Sequence, residues 1–154
     1  MTVWITGRAR TAISEHTAAS GPIIACGLLI GRSDRDGISV ERSLRCFNVA
    51  PPAVRMDGFE IDPHVHVNVR RSLAATGSSV IGFYYGTAAA AEPAERDLEH
   101  LRLWPDTVLL IHGPPESPEP ILRAWTRPAD GSGIREMSME FVATRSASLL
   151  ICPE

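Results

Sequence analysis

The chain has 154 residues, 44% hydrophobic and 21% charged, with mean hydropathy near zero. That is the material of one globular domain with a sizeable core, and it is too short for two comfortable ones, so residues 1–154 are read as a single domain. A net charge of −3 gives no electrostatic reason to expect nucleic acid or an anionic membrane as partner. All fifteen basic residues are arginine, so no lysine amine is present for acylation.

In chain order, Val3 to Thr6 reads as a short strand. A helical pattern follows through Ala12, Ile13, His16 and Thr17 and stops at Ser20-Gly21-Pro22. Cys26 to Gly31 is a continuous apolar run bounded by glycines, suited to a strand buried on both faces. Arg32 to Gly37 supplies a polar turn, and Ile38, Val40, Leu44 and Phe47 suggest a second strand. Asn48 to Gly58 is a loop. Asp62-Pro63 is a helix start, with Asp as N-cap and Pro in the first turn, and that helix should run to about Ala75 and end at Gly77.

Ser79 to Tyr85 is the next strand, followed by a small-residue loop from Gly86 to Ala91 and a helix over Ala94 to Leu103. Thr107 to His112 is a buried strand and Gly113 to Pro120 a Pro-rich loop. Ile121 to Thr126 and Met137 to Ala143 complete the strands. Helices alternate with strands early and strands cluster late, which predicts an α/β sandwich with a mixed sheet.

Three cysteines, Cys26, Cys46 and Cys152, are widely spaced without a CxxC. The expectation is buried or edge thiols in a reducing cytoplasm rather than a disulfide framework or a Cys-rich zinc site. The first residues lack the basic start and apolar stretch of a signal peptide, and no apolar run approaches a membrane span.

Several segments in order carry a family resemblance. Ala25 to Gly31, Phe59 to Pro63, Val80 to Tyr84, Pro93 to Leu98 and Leu122 to Trp125 stand at the spacings of a JAMM (MPN) domain of the short bacterial kind. The resemblance is strongest over 13–126. It implies a mixed β-sheet packed between helices, with a metal site at one sheet edge. It also implies metal-assisted hydrolysis of an amide or isopeptide bond. The family motif has a Glu just before the Cys-Gly-Leu-Leu segment, then His-Ser-His-Pro after the Gly-Phe-Tyr strand, then an Asp on the next helix. Two imidazoles and a carboxylate leave zinc one open position for a water, whose proton the Glu relays while the Ser supports the oxyanion.

This sequence departs from the motif where the chemistry lies. Ile24 stands at the Glu position, Tyr85 and Thr87 at the two His positions, Gly86 at the Ser and Ala88 at the Pro. Asp97 remains, although nine residues separate it from Thr87 where the family has ten. One carboxylate does not hold zinc in a catalytic site, which takes about three protein ligands. No catalytic residue, cofactor or metal is therefore expected.

Other donors offer an alternative. Asp97 and His100 lie three apart on a helix and can share a face; with His112, at the end of a buried strand, brought to them, a relocated Asp97/His100/His112 set would bind zinc, although only the helical pair has spacing support. The plainer readings are a carboxylate in a first helical turn, an exposed helical His100, and a strand-end hydrogen-bond partner at His112. His64 and His66 have metal-ligand spacing for a strand but lie in a helix, where residues two apart face different sides, so a solvated face or docking surface is expected. Tyr85 is expected to fill space that a metal would occupy. Asp34, Asp36 and Gly37 have a superficial likeness to a calcium loop but lack its remaining ligands. Arg70-Arg71 reads as surface, and no phosphate-binding glycine motif occurs.

Two functions follow. One is a catalytically inactive JAMM-like protein serving as a binding or assembly module. Its partner, by resemblance, is a ubiquitin-like or sulfur-carrier protein or another JAMM-like chain, with a homodimer also expected on general grounds. The other is a zinc-dependent (iso)peptidase with a rearranged site.

Overall fold

The computed structural model describes residues 1–114 and 121–142. Its elements are β1 (Thr2–Thr6), α1 (Gly7–Ala19), β2 (Cys26–Ser33), β3 (Gly37–Cys46), α2 (Pro63–Leu73), β4 (Ser79–Gly86), α3 (Glu95–Leu103), β5 (Val108–His112), β6 (Leu122–Thr126) and β7 (Arg135–Val142). The expected last strand extended to Ala143, which lies outside the described residues, as do Cys152 and most of the Pro-rich loop.

The strands form a closed barrel in the order β1-β3-β2-β4-β5-β6-β7, with β7 returning to β1. This corrects the expected α/β sandwich, and with it the JAMM/MPN-like sheet packed between helices. The closing element is β1, which runs parallel to both β3 and β7. Closure satisfies the backbone groups that an open sheet would leave at its edges. Bulges in β2, between Ile30 and Gly31 against β3 and between Leu29 and Ile30 against β4, add the local twist that curvature requires.

Each face of the sheet has its own core. The interior holds Val3, Ile5, Leu29, Ile38, Val40, Tyr84, Val108, Leu110, Ala124 and Met137, and α1 adds Ala9 and Ile13 to it. Residues one step along the same strands, Leu28, Ile30, Phe83, Tyr85, Leu109 and Ile111, point outward and are covered by Leu73 of α2 and Leu101 of α3. The apolar runs at β2, β4 and β5 are thus buried on both faces, as the sequence suggests for β2. Each fully buried Leu, Ile or Phe contributes about 1.5–3 kcal/mol.

Local chemistry sets the helix starts. Thr6 caps α1, its hydroxyl accepting from Ala9 N at 3.1 Å and donating to Glu41 O at 2.9 Å. Asp62 caps α2 by accepting from His64 N, with Pro63 in the first turn. Gly27 is needed for close approach, since a Cβ there would collide with the Tyr84 ring and Leu44 O.

Candidate functional site

Tyr85 and Asp97 are brought together. The Tyr85 hydroxyl donates to Asp97 Oδ2 at 2.6 Å, and the same oxygen accepts from Ala94 N at 2.7 Å in the first turn of α3. Asp97 is 1% exposed. Burial pushes its pKa up, while the Tyr85 hydroxyl, the Ala94 amide and the nearby Arg96 guanidinium pull it back. Burial likewise pushes the Tyr85 phenol up, and its bond to Asp97 adds to the shift. The phenol ring packs on Phe59, with centroids 5.2 Å apart. The carboxylate therefore has a neutral donor and a backbone donor as its partners.

Ile24, Gly86 and Thr87 lie at the neighbouring barrel end. Gly86 N donates to Ala25 O at 3.0 Å, which sets the start of β2 beside the end of β4. Ile24 is buried, with its N–H on Arg55 O and its carbonyl accepting from Asn48. Thr87 N donates to His112 O, and the Thr87 hydroxyl accepts from Ala89 N at 3.1 Å. Gly86 also permits close packing, because a Cβ there would lie 2.5 Å from Thr17 Cγ2 on α1.

These residues wall a cleft of about 440 Å3. Ser14, Thr17 and Ala18 of α1 form one side, and Ile23 to Ala25 with Met56 form another. Gly86 to Ala88 and His112 to Pro114, at the carboxyl ends of the parallel pair β4 and β5, close it. Ligand sites commonly lie outside the carboxyl ends of parallel strands, and a pocket of this size with mostly apolar walls and few polar groups suits a ligand. Asn48 holds the wall, its side chain bridging Ile24 O, Gly58 O, Ala50 N and Glu60 N.

His112 lines the cleft, whereas His66 and His100 both pack edge-on against Phe83. His112 Nε2 is hydrogen-bonded to the Ser14 hydroxyl at 3.0 Å, and its Nδ1 is buried without completing a hydrogen bond. Burial holds its pKa below the usual imidazole value, against an opposing pull from the backbone of His112 and Gly113. His100 is a correction, since its ring is not exposed. It packs edge-on against Phe83 at 4.4 Å and against Phe59 at 5.6 Å, with Nε2 buried and unpartnered. Burial lowers its pKa too.

His64 is exposed and contacts Asp62, whereas His66 is buried and accepts from Arg70 Nε at 2.7 Å. The pair faces different sides, as the helical spacing requires, but the expected solvated face holds only for His64. His66 instead packs on Trp104 at 4.7 Å. Asp34 organises the β2–β3 turn, with Oδ1 accepting from the amides of Asp36 and Gly37.

These placements test the donor set for zinc. Asp97 is held by Tyr85 and Ala94, His100 sits among aromatic rings, and His112 turns toward Ser14. Among the described residues, no three His, Cys, Asp or Glu side chains gather as a metal-holding group. The Asp97, His100 and His112 side chains are thus not gathered into one donor set among the described residues.

Ser14 and its bond to His112 are not foreseeable from the sequence. The two residues are 98 positions apart, and a serine in the middle of a helix carries no signal of its partner.

No protein-family model and no curated protein matches the chain. Solved structures do. The solution structure of protein DSY2949 from Desulfitobacterium hafniense is similar at a TM-score of 0.77 and 24% identity, over 92% of this chain and 93% of that one. A protein from Salinibacter ruber is similar at a TM-score of 0.61 and 21% identity, over 92% of each chain. At these identities the likeness is one of fold. No helix among the described residues is long and apolar enough to cross a membrane.

Proposed function

We propose that this chain is a binding or assembly module without metal-hydrolase chemistry, and that it receives an extended apolar segment of a protein partner in the cleft between α1 and the ends of β4 and β5. The observation that carries the reading is the cleft wall itself. Ile24, Gly86 and Thr87, which the JAMM resemblance would have as base, oxyanion donor and ligand, line a largely apolar cavity of about 440 Å3. The Tyr85–Asp97 hydrogen bond adds support, because it engages the carboxylate that the resemblance would assign to zinc. The reading draws on these residues and not on the JAMM sheet arrangement, which the barrel replaces.

The rim favours a polypeptide occupant. Ile23, Val54 and Met56 are exposed beside the cleft or on the loop that walls it, as are Val49 on the same loop and Phe47 just before it. Exposed apolar groups grouped around a cavity are a feature of protein-binding surfaces. A ubiquitin-like or sulfur-carrier protein, or another JAMM-like chain, is the partner class that the resemblance suggests. A cytoplasmic location accords with the free thiols of Cys26 and Cys46.

The test is a titration of isotope-labelled protein with a sulfur-carrier or ubiquitin-like protein from the same genome. Saturable amide shifts at Ala18, Ile23 to Ala25 and Gly86 to Ala88, abolished by Ala88→Arg, are expected. Shifts confined to another face, or zinc-dependent cleavage of the partner's tail, would refute the proposal.

A further inference from the structure

We propose that Ser14 and His112 form a metal-independent acyl-transfer dyad at the cleft, acting on uncharged esters with a short apolar acyl group. The inference goes beyond binding and does not depend on it, since a chain with no protein partner would still carry the dyad.

The geometry has the parts that such chemistry uses. Ser14 Oγ and His112 Nε2 are 3.0 Å apart, within the reach required of a nucleophile and its base. Both residues line the cleft, so the hydroxyl borders the space a ligand would fill. Ser14 is on α1 and His112 ends β5, and both elements are anchored by core residues, Ile13 on the helix and Ile111 on the strand. Unlike Thr17, whose hydroxyl donates to Ile13 O, Ser14 directs its hydroxyl away from its own helix backbone.

Burial keeps the His112 ring neutral at ordinary pH, the form that accepts a proton. In the tautomer with its proton on Nδ1, Nε2 presents its lone pair to Ser14. Thr87, whose N–H bonds to His112 O, offers a hydroxyl donor on the His112 side of the cleft. Its oxygen accepts from Ala89 N, and its own O–H has no acceptor among the described residues, so it is available to an oxyanion. The mostly apolar walls suit an acyl chain better than a charged one.

The step balances within the cleft. Ser14 Oγ bonds to the ester carbonyl carbon as its proton passes to Nε2, and the carbonyl oxygen takes the negative charge. Collapse of that intermediate breaks the bond to the alcohol oxygen, and the alcohol leaves with the proton from Nε2. Water then adds to the acyl-serine, giving a proton to Nε2. Release of the carboxylic acid returns the proton to Ser14.

The test uses the full chain in EDTA with two probes, an alkyl fluorophosphonate and p-nitrophenyl butyrate. Covalent labelling that maps to Ser14 by mass spectrometry, with turnover of the ester, is expected. Ser14→Ala should abolish both, and alanine in a helix interior keeps the fold. His112→Gln should slow labelling sharply while the protein keeps a native circular-dichroism spectrum. Thr87→Val should lower ester turnover by about 100-fold, the loss typical of one oxyanion donor, while leaving Ser14 labelled. Labelling no faster than in heat-unfolded protein, labelling at another residue, or equal turnover by Ser14→Ala would overturn the proposal.

Discussion

Replacing Tyr85 with phenylalanine removes one hydroxyl and keeps the ring on Phe59. What is lost is the 2.6 Å hydrogen bond to Asp97, whose carboxylate is buried and retains only the Ala94 amide. Loss of a hydrogen bond to a charged group costs about 1.5–3 kcal/mol. For a chain of this length each kcal/mol lowers Tm by about 2–4 °C, so a drop of about 3–12 °C is expected. The sign with pH follows from proton binding. Burial raises the Asp97 pKa in the folded state, so the native protein holds a proton that the unfolded chain releases, and stability falls as pH rises from the unfolded carboxylate value through the folded one.

Tyr85 opposes that shift, so Tyr85→Phe raises the folded pKa further and extends the loss to higher pH. Asp97→Asn removes the Asp97 contribution to that dependence. Urea titrations across the mildly acidic to neutral range, with the slope m checked for constancy, measure both effects. A Tyr85→Phe variant within about 0.5 kcal/mol of wild type at every pH, the scatter of an ordinary surface change, would refute the account of the pair.

Four further outcomes are expected. Burial lowers the pKa values of His16, His66, His100 and His112. Their contribution to stability should therefore be complete above the unfolded imidazole value and decline as pH falls toward the folded ones, a decline that His100→Phe reduces in a thermal melt series. Gly86→Ala forces a Cβ against Thr17, and the resulting overpacking should cost about 1–3 kcal/mol in denaturant unfolding. Thr6→Ala removes the cap of α1 and should cost about 1 kcal/mol, with faster amide exchange at Ala9. The Cys26 thiol is pushed up to about 12 by burial and by Cys46 beside it, so in native protein it should resist iodoacetamide until urea exposes it.

The sequence is readable where the deciding interactions are local. Strand interiors at Cys26–Gly31 and Ser79–Tyr85 announce themselves as apolar runs, and Asp62-Pro63 marks the start of α2, because caps and runs involve neighbours within a few residues. The polar turn before Gly37 is legible for the same reason, since Asp34 bonds to amides two and three positions on. The environments of His66 and His100 are not legible. Their burial depends on Phe83 and Trp104, which distant parts of the chain deliver.

By itself, then, the sequence determined which segments are strands and helices, and that an isoleucine, a tyrosine and a threonine stand at positions 24, 85 and 87. Tertiary structure alone decided that the strands close into a barrel, because an apolar run has the same pattern in an open sheet and a closed one. Closure rests on β1 meeting β7 across almost the whole chain. It also decided that Tyr85 meets Asp97 and that Ser14 meets His112, contacts whose energy depends on ångström-scale distances between residues that no local pattern links.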